Sequence, residues 1–162
     1  MKRLLTTLSR PQVLVSMAVA VVLCAALFRQ TQGAIGGPYL DLMSDPEAVR
    51  ARLELMTASQ KQAHITRTGL LDTAFPVLYT ALVLGMLRRY WAGPVFLVGV
   101  TVILAGAGLD LAENALQVAM LTGAEGLAAQ KAWLTPLKFA AVLAGIVLAL
   151  AGLVLGLARR RP

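Results

Sequence analysis

The residues with chemistry to offer are polar side chains set inside otherwise apolar sequence. Asp110, Glu113, Asn114 and Gln117 fall at i, i+3, i+4 and i+7, so a helix carries them as one polar stripe. Asp72, Pro76 and Tyr79 make a second stripe, and Lys138 leads a third through Ala141, Gly145, Gly152 and Gly156. Carboxylates in such a setting can serve as general acid and base, their proton affinities set apart by burial and by Lys138 or Arg67. Alternatively Asp72, Asp110 and Glu113 can bind a divalent cation through oxygen. Pro76 has no N–H, so the carbonyl of Asp72 loses its helical partner and lies free beside the Asp72 carboxylate. His64 stands eight residues above Asp72 and reads as a loop or rim histidine, solvated at the surface, near enough to contribute.

The elements that must position these groups are membrane spans. Of 162 residues, 58% are hydrophobic and 14% charged, against about 45–50% and about 25% in a typical soluble domain. That composition excludes a soluble globular enzyme, a disordered tail and a secreted disulfide scaffold. One Cys and one His exclude an intrachain disulfide or a Cys/His zinc cluster. Charge-free apolar runs occupy residues 11–28, 73–87, 92–109 and 139–158. A helix crosses a hydrocarbon core of ~30 Å with about 20 residues, so with flanks the spans are 11–28, 69–89, 92–119 and 133–158. The expected fold is all-α: a single integral domain, a bundle of four transmembrane helices with an extracytoplasmic amphipathic helix between spans one and two, inside the stretch 29–68.

The net charge of +7 is not a nucleic-acid signal once its positions are read. Lys2, Arg3, Arg10, Arg88, Arg89, Arg159, Arg160 and Arg161 flank one end of the spans with no acid among them. The other seven basic residues share the rest of the chain with all eight acids, so +7 resolves into +8 and −1. The positive-inside bias then puts both termini in the cytoplasm and the chain in the cell (inner) membrane as a multi-pass protein. Trp91 and Tyr90 fall at the inner edge and Trp133 at the outer. The first run could instead be a cleaved signal peptide, but Gln32-Gly33-Ala34 is a poor small-x-small site and Leu23-Cys24 a poor lipoprotein site, so an uncleaved span is expected.

Between spans one and two, Ser44 suits an N-cap, Glu47 completes a capping box and Pro46 fits the first turn. Val49, Leu53 and Met56 then recur on one face, giving an amphipathic helix of roughly four turns that lies over the outer face, followed by the polar stretch Ser59-Gln60-Lys61-Gln62. Counting rise along each helix, Asp72 lies ~24 Å from Arg88 and Asp110 ~25 Å from Gly93, so both acids are expected at one depth. Glu113, Lys138 and Arg67 come close to it. Charges inside a membrane are costly and are normally paired or face a cavity. Three carboxylates against at most two cations exceed what a single structural ion pair needs, although a pair such as Asp110 with Lys138 could equally serve to lock helices.

The pattern Asp72-x-x-Phe75-Pro76-x-x-Tyr79, Asp110-x-x-Glu113-Asn114-x-x-Gln117 and Thr135-Pro136-Leu137-Lys138 resembles a family of small, uncharacterised bacterial four-helix multi-pass membrane proteins, over roughly residues 64–138. The resemblance implies a compact helical membrane protein and supplies no activity. Three functions remain open from the residues: a site that binds or processes a lipid or other amphiphile, with or without a divalent cation; a proton- or ion-coupled small transporter, for which a chain of this size would form a homo-oligomer; and a structural or accessory membrane subunit. No cofactor is identified, and the lipid bilayer is the expected surrounding partner.

Overall fold

The structure, a computed structural model, describes residues 2–159. The Lys2 side chain and residues Arg160 and Arg161, which enter the charge count, lie outside the described residues. The described chain is all-α and includes α1 (Lys2–Leu8), α2 (Pro11–Ile35), α3 (Pro46–Leu55), α4 (Ala58–Arg67), α5 (Thr73–Tyr90), α6 (Gly93–Leu121) and α7 (Ala128–Ala158). Four of its helical stretches are long and apolar enough to cross a membrane: Pro11–Ile35, Ala58–Tyr90, Gly93–Leu121 and Glu125–Ala158. Leu97, Leu104, Leu143, Val147, Leu150 and Val154 are exposed along them, as a lipid-facing surface requires.

Small residues set how closely these helices approach, since apolar side chains gain little from leaving lipid for one another. A Cβ at Gly106 would meet the Val142 side chain at 2.9 Å, and one at Gly145 would meet Ile103 at 3.0 Å. Those two glycines join α6 to α7. At the far end of α5 the Trp91 indole donates to the Leu148 carbonyl at 2.8 Å, and Gly152 leaves room for that ring. Tyr79, Val83, Leu87, Ile103 and Ala149 fill the interior on the near side of this contact as one apolar cluster.

A second apolar cluster joins the ends of the spans to the segment between the first two. Ile35, Leu40, Val49, Leu53, Met56, Met120, Leu121 and Ala128 close over one end of the bundle, hereafter the capped end. Gly36, at φ 71°, turns the chain out of α2 in the left-handed region that glycine enters without steric cost. Arg52 then donates to the Ile35 carbonyl at 2.7 Å, which α2 itself leaves open at its C-terminus.

Three local expectations need correction here. The N-cap of α3 is Asp45, whose Oδ1 accepts from the Glu47 N–H at 3.1 Å, and not Ser44. Pro46 takes the first helical position, so the residue before it is the cap. The helix has 10 residues, about three turns and not four. The capping box lies one helix later, where Thr57 and Gln60 bond each other's backbone N–H at the start of α4.

Between α4 and α5, Thr68–Asp72 forms a π-turn. Five residues along an ideal α-helix advance about 140° beyond a full turn, which would point Arg67 and Asp72 apart. The wider turn returns them to one face, and Arg67 Nη2 donates to Asp72 Oδ1 at 3.0 Å. Thr73 Oγ1 donates to the Thr68 carbonyl at 3.1 Å, filling one acceptor that the irregular turn exposes.

Candidate functional site

Between the two apolar clusters lies a layer of buried charge. Lys138 Nζ from α7 stands 2.9 Å from Asp110 Oδ1 and 2.6 Å from Glu113 Oε2 on α6, the second an ion contact outside hydrogen-bond angles. Lys131, seven residues before Lys138, reaches Glu113 Oε1 at 2.7 Å. It also donates to the Met43 carbonyl at 2.7 Å and to Thr135 Oγ1 at 3.0 Å. Thr135 in turn donates to Glu113 Oε1 at 2.6 Å. Glu113 and Lys131 are fully buried, so each is held only by these partners, as a buried ion pair requires.

Arg67 joins the span to the cap. Its Nη2 reaches Asp41 Oδ2 at 2.9 Å as well as Asp72 Oδ1, and its guanidinium lies 3.7 Å from the Tyr39 ring centroid and 4.8 Å from that of Phe28. Gln117 donates to the other Asp41 oxygen. The carbonyl freed by Pro76 is taken by Asn114, whose Nδ2 donates to the Asp72 oxygen at 2.6 Å. Tyr79 donates to Asp110 Oδ2 at 3.0 Å.

The structure therefore engages Asp72, Asp110, Glu113, Asn114, Lys138, Arg67, Tyr79 and Gln117 in one layer, with two differences in depth and setting. Asp72 meets Asn114, whereas Asp110, one turn from Asn114, meets Tyr79 two turns from Asp72. Asp110 is thus the deeper acid, because residue counts along each axis do not fix where each helix starts. His64 is fully buried and not solvated. Its Nε2 accepts from the Leu40 N–H at 3.4 Å and Nδ1 pairs with Thr68 Oγ1 at 3.3 Å, so the ring is neutral and holds the Leu40–Leu42 turn over the layer.

Asp41, Lys131, Thr135 and Tyr39 were not expected in the site. With them the layer holds four carboxylates and three cations. Asp41 lies outside the spans. Burial pushes its carboxyl up, but Lys138, the Gln117 hydrogen bond and Arg67 outweigh that and hold it below the ordinary carboxylate range. Among the described residues no group of three His, Cys, Asp or Glu side chains is arranged to hold a metal ion; Asp72, Asp110 and Glu113 instead face cations.

The layer forms the polar end of a cavity of about 340 Å³. Asp41, Arg67, Asp72, Asp110 and Lys138 line that end, while Val21, Phe28, Phe75, Phe139, Val142 and Ile146 supply apolar walls. Helix α2 packs on α5 and α4 and makes no comparable contact with α7. The cavity is a partly enclosed crevice with α2 and α7 among its walls. Comparison with family models, curated proteins and solved structures gives no match, so the resemblance in the motifs identifies no family. What stands is a four-span membrane protein whose helices are joined by buried charged pairs.

Proposed function

We propose that the protein binds an amphiphile, with its polar head in the charged layer and its chain along the crevice between α2 and α7. One observation carries this reading: a single, partly enclosed cavity has charged and aromatic groups at one end and apolar side chains along its length. A ligand pocket of this kind is mostly apolar with a few convergent polar groups. Transport is the weaker reading, because the apolar cluster of Val83, Leu87, Ile103 and Ala149 lies below Tyr79 and offers an ion no polar partner.

The orientation that accords with the charge distribution places the capped end, and with it the polar end of the crevice, on the extracytoplasmic side of a bacterial inner membrane. Amphiphiles would enter sideways from the outer leaflet, and the loop through Leu42, 69% exposed, would form the upper lip.

Native mass spectrometry of the protein purified in mild detergent tests the reading. The wild type is expected to retain an amphiphile, and Val21→Trp, which fills the crevice from α2, is expected to lose it. A wild type that carries and takes up no amphiphile, or a Val21→Trp variant that binds as well as the wild type, contradicts it.

A further inference from the structure

The polar layer is not balanced. Asp41, Asp72, Asp110 and Glu113 face Arg67, Lys131 and Lys138, and His64 is neutral by its acceptance of the Leu40 N–H. With every carboxylate ionised the layer is one positive charge short. Asp110 uses one oxygen on Lys138 and the other on Tyr79. Asp41 uses its two on Arg67 and Gln117. Both Glu113 oxygens lie against lysines.

Asp72 is the exception. Its side chain is 5% exposed and lines the crevice. Oδ1 meets Arg67, while Oδ2 is buried with no hydrogen-bond partner. His64 Nδ1 carries the ring proton, because Nε2 accepts, and donates to Thr68 Oγ1; the Thr68 hydroxyl near Asp72 is a neutral donor and adds no positive charge. An uncompensated anionic oxygen in a low-dielectric site is costly, and the deficit of charge and the unfilled acceptor coincide at this one atom.

We infer that the headgroup of the bound amphiphile carries a protonated amine, whose N–H donates to Asp72 Oδ2 and supplies the missing positive charge. This rests on the crevice being an amphiphile site. Charge-assisted hydrogen bonds of this type are about twice as strong as neutral ones, whereas an alcohol offers a hydrogen bond without charge and a carboxylate head meets a site already net negative. The Tyr79 and Phe75 rings, 5.5 Å apart between centroids, line the same crevice as Asp72, and aromatic rings attract a cation placed over them. Two sources share this chemistry: a free long-chain amine and the ethanolamine head of a phospholipid.

The test compares dodecylamine, dodecanol and dodecanoate, with phosphatidylethanolamine as a fourth arm, by the rise in thermal unfolding midpoint of the full chain in maltoside detergent. Dodecylamine is expected to bind at least tenfold more tightly than dodecanol, and dodecanoate most weakly. Asp72→Asn is expected to abolish the preference for the amine over the alcohol. Stabilisation by phosphatidylethanolamine as well assigns the source to the bilayer; stabilisation by dodecylamine alone assigns it to a free amine. Equal binding of amine and alcohol by the wild type overturns the headgroup assignment but leaves the crevice reading intact, and this comparison holds even if Asp72→Asn does not fold. Absence of binding by all four, together with an empty wild type in the mass spectrum, overturns both.

Discussion

Lys138→Met removes the cation that bridges two carboxylates on α6. The lysine side chain is 7% exposed, that of Asp110 13% and that of Glu113 0%, so both ion contacts are shielded from water. Breaking a buried pair from one side costs about 3–5 kcal/mol, because the remaining charge stays buried. Each acid keeps another donor: Tyr79 for Asp110, and Lys131 with Thr135 for Glu113. The lower end, about 3 kcal/mol, therefore applies. In a chain of this length 1 kcal/mol moves the midpoint by about 2–4 °C, which gives a fall of about 6–12 °C in detergent. Adding Asp110→Asn restores the charge count and should recover at least half of that loss. A swap of the two charges is a poorer rescue, because it would set a carboxylate against Glu113. A fall of less than about 2 °C, or a double variant worse than the single one, refutes a stabilising role for the lysine.

Asn114→Leu leaves the Asp72 carbonyl without its donor, and is expected to cost about 1–3 kcal/mol; Pro76→Ala, which returns a backbone N–H to that carbonyl, should rescue it in a double-mutant cycle of thermal midpoints, and independent effects would contradict the link. Gly152→Ala places a Cβ 2.5 Å from the Trp91 indole nitrogen, so the ring should leave the Leu148 carbonyl and its fluorescence shift to the red in a Trp133→Phe background; an unchanged spectrum would show that the helices absorb the methyl. Because the Asp41 carboxyl is held below its ordinary range, its contribution is complete above the unfolded value of about 3.9 and is lost as pH falls through the lower folded value. Melting at a series of pH values should show Asp41→Asn less stable than the wild type at pH 5 and the gap narrowing as pH falls below the unfolded value of about 3.9; a gap constant with pH would contradict this.

The spans were legible because an uncharged apolar run long enough to cross a bilayer has few other uses, and the stripe on α6 because helical spacing puts Asp110, Glu113, Asn114 and Gln117 on one face. The carbonyl freed by Pro76 followed from covalent structure alone. Other members of the layer were hidden for identifiable reasons. Asp41 lies in the short turn Leu40–Leu42, which has no periodicity to reveal its direction. Lys131 does carry a signal, since Lys131, Thr135 and Lys138 fall at i, i+4 and i+7, but the apolar run of the last span starts only after them. The Arg67–Asp72 contact needs a π-turn that α-helical counting cannot foresee. His64 stands in a polar stretch whose buried face appears only when Leu40 and Thr68 are folded against it.

A density map of the protein in lipid nanodiscs tests the amphiphile site most directly. Elongated density in the crevice between α2 and α7, with its polar end against the layer of Asp41, Arg67, Asp72, Asp110 and Lys138, is the expected result. A map in which α2 closes onto α7, or in which only water fills the space beside Asp72, would contradict it.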